Sequence, residues 1–196
     1  MDDLFEDKDR VVVLIDGANF YSTARALGLD IDYKALLAWL KREAHILRVI
    51  YYTTILERDE YAAVRPLIDF LDYNGYSVVT KPAREFTDAE GRRRIKGSME
   101  VELAVDAMEL APHADHFVLA TGDGNYKPLA AALQRQGKRV TVMSTTTTQP
   151  PMVADDLRRQ ADQFLDLKSL AEVIGREPRE PREGRPRRHS ADETVD

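Results

Sequence analysis

Two aspartates stand behind short apolar runs, where residues of an α/β protein commonly do chemistry. Asp16 follows the apolar run 11–15, and Asp123 follows the run 117–121 with one glycine between. Such runs are typical of strands buried on both faces of a parallel sheet, and ligand sites lie at the carboxyl ends of those strands. Two carboxylates in one cleft repel each other, and hard oxygen donors favour Mg²⁺ or Mn²⁺. The pair therefore predicts a metal site, with helix capping by each aspartate as the alternative.

Glu100 is a third candidate because of its position on a predicted helix that Ser98 caps and that runs to about Leu110. Three acidic residues of that helix share one polar stripe: Glu102, Asp106 and Glu109. Glu100 lies nearly opposite, on the apolar side, at about 100° per residue. A core-facing carboxylate needs a partner, because an unpaired buried charge is costly. This favours a role in the site for Glu100, although the first turn also suits an acid near the positive end of the helix dipole.

Other polar and basic residues could complete the site. Asn19 could hydrogen-bond to the Asp16 loop or cap the first helix. Four basic residues close together in the sequence are Arg92, Arg93, Arg94 and Lys96. They would lie at the mouth of the site and hold phosphates, although most charge runs are simply solvated. From spacing alone, Asp106 is expected to be solvated as well.

Alternating strand and helix patterns position these residues. Strands are predicted at 11–15, 46–55, 76–80, 117–121 and 139–143, with a short edge strand at 164–167. Helices are predicted at 18–27, after Asp32, after Asp59 with a kink or restart at Pro66, at 98–110, between Pro128 and Gly137, and at 153–161. Residues 82–94 read as an exposed loop or a small hairpin. The pattern predicts an α/β fold, a three-layer sandwich with a mostly parallel sheet of about five strands.

Composition limits the classes of protein that this chain can be. The absence of cysteine excludes disulfides, thiolate metal sites and a cysteine nucleophile. No apolar run approaches the roughly 20 residues that span a bilayer, and the acidic start lacks the apolar core of a signal peptide. We therefore expect a cytoplasmic protein with no membrane partner. A net charge of −6 argues mildly against broad coating of nucleic acid.

The domain organisation follows from the same patterns. A short acidic segment (1–9) precedes one domain (10–168), which is followed by the end of the last helix (169–174). The Arg/Glu/Pro-rich tail 175–196 has almost no apolar residue and is predicted to be disordered. Motifs for dinucleotide binding, the P-loop and a serine nucleophile elbow are absent from the sequence.

Three stretches together resemble a known family. They are VVVLIDGANFY (11–21), KGSMEVELAVDAMELA (96–111) and FVLATGDGNYKPLAAALQRQGKRVTVMS (117–144). In this order they resemble the bacterial LabA-like branch of the NYN-domain proteins, which belong to the PIN-like nucleases. The resemblance covers roughly residues 10–168. It implies a PIN-like α/β/α fold, an acidic pocket for Mg²⁺ or Mn²⁺, and RNA as the substrate.

By position, the resemblance assigns the acidic residues of the family to Asp16, Glu100, Asp106 and Asp123, with Asn19 completing the DGAN signature. Two departures stand out. The second aspartate after the fourth strand is Asn125 here, followed by Tyr126, and the helix acid, more often aspartate, is Glu100. An amide can still ligate through its carbonyl oxygen, but it adds no charge and cannot act as a base.

These observations predict a metal-dependent endoribonuclease. The metal ligands would be Asp16, Glu100 and Asp123, with Asp106, Asn125 and Asn19 as further residues of the catalytic site. The RNA backbone would be held by Lys96 and Arg92–Arg94. One alternative is a catalytically weakened NYN domain that binds RNA or a protein. Another is a dimeric scaffold whose basic tail recruits partners. A homodimer is also compatible with the nuclease and with the weakened domain.

Overall fold

A seven-stranded sheet forms the centre of the molecule. The computed structural model describes residues 4–6, 8–56, 60–87 and 93–176, with the backbone alone for 56, 60–63, 84–87 and 93–96. The strands are β1 (Arg10–Asp16), β2 (His45–Leu56), β3 (Ser77–Thr87), β4 (Arg93–Lys96), β5 (His116–Ala120), β6 (Arg139–Ser144) and β7 (Gln163–Asp166). Their order is β4-β3-β2-β1-β5-β6-β7. Six strands are parallel and β4 pairs antiparallel with the end of β3, so the predicted α/β class is confirmed.

Helices cover both faces of this sheet. They are α1 (Gly17–Ala26), α2 (Tyr33–Glu43), α3 (Glu60–Tyr73), α4 (Glu100–Leu110), α5 (Lys127–Arg135), α6 (Asp155–Gln160) and α7 (Ala171–Ile174). Helices α1, α2, α3 and α7 contribute to one core, and α4, α5 and α6 to the other. Strand β1 supplies Val11, Val13 and Ile15 to the first core and Val12 and Leu14 to the second. Burial on both faces explains why its sequence is an unbroken apolar run.

The order of the strands places a crevice at the end of β1. Strand β1 pairs with β2 on one side and with β5 on the other, with Ile15 opposite Ala120 in the second pair. The chain therefore builds the sheet outwards from β1 in both directions, and β1 and β5 flank a topological switch point. Ligands of open α/β sheets bind outside the carboxyl ends of the strands at such a point. Asp16 and the turn after β5 meet there.

Several local predictions can now be compared with the structure. Within the predicted loop or small hairpin 82–94, the described end of β3 (84–87) pairs antiparallel with β4 and forms a β3–β4 hairpin. The prediction that Ser98 caps α4 is wrong: the helix begins at Glu100 with Met99 at the N-cap. The Ser98 carbonyl instead accepts a hydrogen bond from Lys81 Nζ (3.1 Å).

Of the kink or restart predicted at Pro66, the restart does not occur, because α3 continues across that residue. Pro66 lies exposed at the surface, where water can satisfy the carbonyl that loses its helical partner. The Asp59 cap and the tail from residue 177 lie outside the described residues. Among the described ranges, no helix is long and apolar enough to cross a membrane.

A buried histidine lies at the opposite end of the sheet from Asp16. His116, at the start of β5, is completely buried. Its Nε2 lies 2.7 Å from Thr141 Oγ1, and its Nδ1 lies 3.6 Å from Asp9 Oδ2. Burial, with a smaller contribution from the charge of Arg139, lowers the pKa of His116 from 6.5 to about 4. The imidazole is therefore neutral at pH 7.

We expect His116→Gln to flatten the acid side of the pH–stability profile. A histidine whose pKa is lower in the folded state favours folding above its unfolded-state pKa, and this contribution is lost as the pH falls from 6.5 to about 4. At 1.36 kcal/mol per pKa unit, the loss is about 3 kcal/mol. Urea unfolding of wild type and variant between pH 7 and 4 measures it. The control is His113→Gln at an exposed position, which should keep the wild-type profile. If His116→Gln lost as much unfolding free energy as the wild type between pH 7 and 4, the loss would come from carboxylates instead of His116.

Candidate active site

The predicted acids meet in a cavity at the carboxyl ends of β1 and β5. The cavity has a volume of about 310 Å³. Of the predicted site residues, four line it: Asp16, Asn19, Glu100 and Asp123. Tyr52, Gly97 and Ser98 form part of its wall. The structure thus brings together residues that are more than 100 positions apart in the chain.

Asp16 is held by donors from three directions. Its Oδ1 accepts a hydrogen bond from the backbone N–H of Asn19 (3.2 Å), which makes Asp16 the N-cap of α1. Its Oδ2 accepts from Thr121 Oγ1 (3.4 Å) and from the Tyr126 hydroxyl (3.3 Å). Capping and a place in the cavity, which the sequence left as alternatives, therefore coexist in this residue.

The charge on Asp16 is unfavourable in its surroundings. Burial is the main cause that raises the pKa of Asp16 above its ordinary value, and the negative charge of Asp123 adds to it. The hydrogen bonds from Asn19, Tyr126 and Thr121 act in the opposite direction without cancelling the rise. A cation beside the two aspartates would relieve this cost.

Asn19 and Asp123 connect the two strand ends. The side-chain Oδ1 of Asn19 accepts a hydrogen bond from the backbone N–H of Gly122 (2.9 Å), which joins α1 to the turn after β5. Asp123 Oδ1 accepts from the backbone N–H of Asn125 (2.9 Å) and caps the 3₁₀ turn Gly124–Tyr126. These bonds fix the position of the Asp123 backbone relative to Asp16.

Glu100 accepts a hydrogen bond at the edge of the cavity, although it is half-buried and does not face the core as the helical period predicted. Asn125 Nδ2 donates a hydrogen bond to Glu100 Oε1 (3.3 Å). Glu100 is half-buried at the start of α4, at the edge of the cavity. The residue that replaces an acid in the family pattern therefore binds another acid of the site.

Asp106 lies behind the cavity and contacts it through Tyr52. The helical spacing predicted a solvated side chain for Asp106. Instead, Asp106 Oδ2 accepts a hydrogen bond from the Tyr52 hydroxyl (2.8 Å). Burial, and then the Asp106 carboxylate, raise the pKa of Tyr52 well above its ordinary value, and the phenol remains a donor. Tyr52 stands opposite Asp16 in the β1–β2 register.

Sequence reasoning missed three hydroxyl groups of the site, those of Tyr52, Thr121 and Tyr126. Thr121 and Tyr126 flank the Gly-Asp-Gly-Asn turn, and that proximity is a signal that could have found them. Tyr52 gives no such signal, because in the sequence it is one more apolar position of a strand.

The basic residues are only partly visible. Arg93, Arg94 and Lys96 belong to β4, but their side chains lie outside the described part of the structure, as does all of Arg92. Gly97, the residue after Lys96, lines the cavity. The β4 strand therefore leads to the mouth of the cavity, and the phosphate-binding role of these four basic residues stays a prediction.

The donor set suits an open cation site. Within the described ranges, no three Asp, Glu, His or Cys side chains converge closely enough to enclose a metal ion. Mg²⁺ is nevertheless commonly held by one or two carboxylates, with water and substrate phosphate completing its coordination. Asp16 and Asp123, which are coupled electrostatically and share a cavity, fit that arrangement, with Glu100 at the rim.

Comparison with known proteins agrees with this architecture. The NYN domain family matches residues 10–168. The chain is 26% identical over 169 residues to "Low amplitude and bright protein LabA" of Synechococcus elongatus, which covers 84% of this chain and 87% of that protein. It is also similar to the crystal structure of a protein of unknown function from Vibrio parahaemolyticus, with a TM-score of 0.67, 25% identity, and coverage of 83% of this chain and 95% of the other. Because the family match runs from the start of β1 through the end of β7, the chain belongs to the NYN domain family.

Proposed function

We propose that this protein is a metal-dependent endoribonuclease that hydrolyses RNA phosphodiester bonds in its acidic cavity. The observation that carries the proposal is the cavity in which the partly buried carboxylate of Asp16 meets Asp123 from the neighbouring strand end and Glu100. Burial and the charge of Asp123 raise the pKa of Asp16, and an acid perturbed in this way in a cleft is typical of a functional site. Membership of the NYN family, a group of PIN-like nucleases, supports ribonuclease chemistry.

Different residues of the cavity would hold the cation and position its ligands. A Mg²⁺ or Mn²⁺ ion held by Asp16 and Asp123, with Glu100 at the rim, would activate a water and neutralise charge on the scissile phosphate. Asp16 is oriented by its three hydrogen bonds, and Asn19 fixes the distance between the two strand ends. Tyr52 donates to Asp106 from the cavity wall and keeps that fourth carboxylate close to the site.

The substrate side of the proposal depends on local positive charge. The cavity is acidic and the whole chain carries a net charge of −6, so a phosphate backbone needs cations beside it to approach. The strand β4 that leads to the cavity mouth carries Arg93, Arg94 and Lys96, and Arg92 precedes them in the sequence. We assign to these residues the binding of RNA phosphates on either side of the cut.

One contact favours a second candidate function. Because Asn125 adds no charge and donates to Glu100, the domain would bind RNA or a protein partner without cutting. Asn125→Asp separates the two functions. A metal-dependent cleavage that appears only in this variant would show a binding module one charge short of activity, whereas cleavage by the wild type supports the nuclease.

Calorimetric titration with Mn²⁺ tests the cation site directly. We expect wild-type protein to bind Mn²⁺ and Asp123→Ala to lose that binding, because the variant removes one of the two coupled carboxylates. Asp155→Ala, which removes an exposed acid on α6, is the matched control and should bind like the wild type. Equal binding by Asp123→Ala, or no binding by the wild type with or without a single-stranded RNA oligonucleotide, would contradict the proposal.

A further inference from the structure

A single short turn supplies donors to every carboxylate that lines the cavity. In the 3₁₀ turn Gly124–Tyr126, the Asn125 backbone N–H donates to Asp123 and the Asn125 side chain donates to Glu100. The Tyr126 hydroxyl donates to Asp16. Each of the three acids thus accepts one hydrogen bond from this turn, at an oxygen that a cation could otherwise bind.

We propose that Asn125 and Tyr126 are positioning residues that close the acidic cavity without a cation and thereby set its affinity for divalent cations. This inference rests on the proposed function, since it concerns the same site. It assigns to the turn a regulatory property: cation binding must compete with hydrogen bonds built into the chain.

The two oxygens of Asp16 differ in what they can offer a cation. Oδ1 accepts one hydrogen bond, from the backbone N–H of Asn19 at the N-cap of α1. Oδ2 accepts from both hydroxyl donors, Tyr126 (3.3 Å) and Thr121 (3.4 Å). A carboxylate oxygen has two lone pairs, so Oδ1 keeps one lone pair for a cation, whereas a cation that binds Oδ2 must displace one of the hydroxyl donors.

Asn125 and Tyr126 differ in burial, and we therefore assign them different effects on cation binding. Tyr126 is 2% exposed and packs in the core with α5, so its hydroxyl stays beside Asp16. Asn125 is exposed, and its side chain is free to rotate away from Glu100 without disturbing the core. Cation entry would therefore release Asn125 first, while Tyr126 lowers the affinity throughout.

Mn²⁺ titration of Tyr126→Phe and Asn125→Ala tests the inference. Each substitution removes a donor from a carboxylate without adding charge, and we expect the Kd to fall about tenfold, which corresponds to about 1.4 kcal/mol. Tyr76→Phe is the matched control: its buried hydroxyl donates to the Tyr33 carbonyl (2.7 Å), away from the acids. This control should bind Mn²⁺ like the wild type.

Thermal unfolding gives a second readout that a merely structural role would not produce. Without a cation, Tyr126→Phe should have a lower Tm than the wild type, because Asp16 loses a donor. With saturating Mn²⁺ its Tm should rise more than that of the wild type, since tighter binding to the folded state stabilises more. Tyr76→Phe should lose Tm without this larger rise.

The outcomes separate the inference from the proposed function. Wild-type binding that depends on Asp123, with unchanged or weaker binding in both donor variants, overturns the inference and leaves the nuclease proposal intact. Binding that appears only when a donor is removed supports the inference and contradicts the nuclease proposal for the wild type. No binding in any of the proteins overturns both. Should Tyr126→Phe fail to fold, Asn125→Ala, at an exposed position, decides alone.

Discussion

Asp16→Asn is expected to abolish RNA cleavage while raising the Tm at neutral pH. The loss of activity should be about 100- to 1,000-fold or more, the range for removal of one group that stabilises charge in a transition state. The gain in stability has a separate cause, because the charge on Asp16 is a cost to the folded protein. Burial and Asp123 raise its pKa.

The sign of the stability change follows from proton linkage. An aspartate whose pKa is raised on folding favours the folded state when protonated, and this contribution is lost as the pH rises through the folded-state pKa. At pH 7 the wild type therefore carries the cost of the charged form. Asparagine is neutral at every pH and caps helices about as well as aspartate, so the bond from Asn19 to the α1 cap is kept.

Thermal unfolding and an RNA cleavage assay at pH 7 measure the two effects together. Asp32→Asn is the matched control, since Asp32 caps α2 by accepting from Lys34 and Ala35 and lies away from the cavity. It should cleave like the wild type. Cleavage retained by Asp16→Asn would remove Asp16 from the catalytic site, and a lower Tm would show that the charged form stabilises the fold.

The positions of Asp16 and Asp123 could be predicted because they depend on local sequence alone. The apolar run 11–15 feeds both cores, so it had to be a central strand, and the residue behind it had to lie at the carboxyl edge of the sheet. The helical period predicted a core-facing Glu100, whereas α4 buries Leu103 and Ala107 and leaves Glu100 half-buried at the rim of the cavity. Its hydrogen bond with Asn125 was not predictable, because Asn125 reaches Glu100 only through the docking of α4 beside the turn after β5.

The contacts of Tyr52, Asp106 and Ser98 could not be predicted from the sequence, because each depends on a distant segment. Tyr52 reads as an apolar residue of β2, and its bond to Asp106 depends on the register that sets Tyr52 opposite Asp16. Helical spacing alone assigned Asp106 to solvent, since spacing ignores what the neighbouring strand presents. Ser98 was a reasonable cap by residue type, but the carbonyl of Ser98 is bound by Lys81 of β3 and α4 begins two residues later. In each case a contact between distant segments decided the outcome.

Gly122 is the residue whose replacement should damage the fold of the site most. It connects β5 to Asp123, its N–H donates to Asn19 Oδ1, and its carbonyl accepts from the backbone N–H of Ala154 (2.8 Å). A Cβ at this position would overlap the Met152 carbonyl oxygen and lie 2.8 Å from Ser144 Oγ. The glycine is thus required by the close approach of the 145–154 segment to the end of β5.

Gly122→Ala is expected to lower the free energy of unfolding by about 3 kcal/mol or more, the upper range for forcing atoms into a packed interior. Urea unfolding measures this loss. Gly124→Ala is the matched control, since its Cβ would lie 3.1 Å from Ala154 Cβ and 3.2 Å from Asp156 Oδ1, where small shifts suffice. Its loss should stay within about 1 kcal/mol.

The same substitution should also separate stability from activity at the site. To admit the methyl group, either the Met152 backbone or the turn after β5 must move, and the hydrogen bond from Gly122 to Asn19 joins that turn to α1. A movement of the turn displaces Asp123 from Asp16, so any folded fraction of Gly122→Ala should bind Mn²⁺ more weakly than Gly124→Ala. If Gly122→Ala were as stable as the wild type, the Met152 segment would have to move aside at no cost. The position of the turn after β5 would then be set by its hydrogen bond to Asn19 and not by packing against that segment.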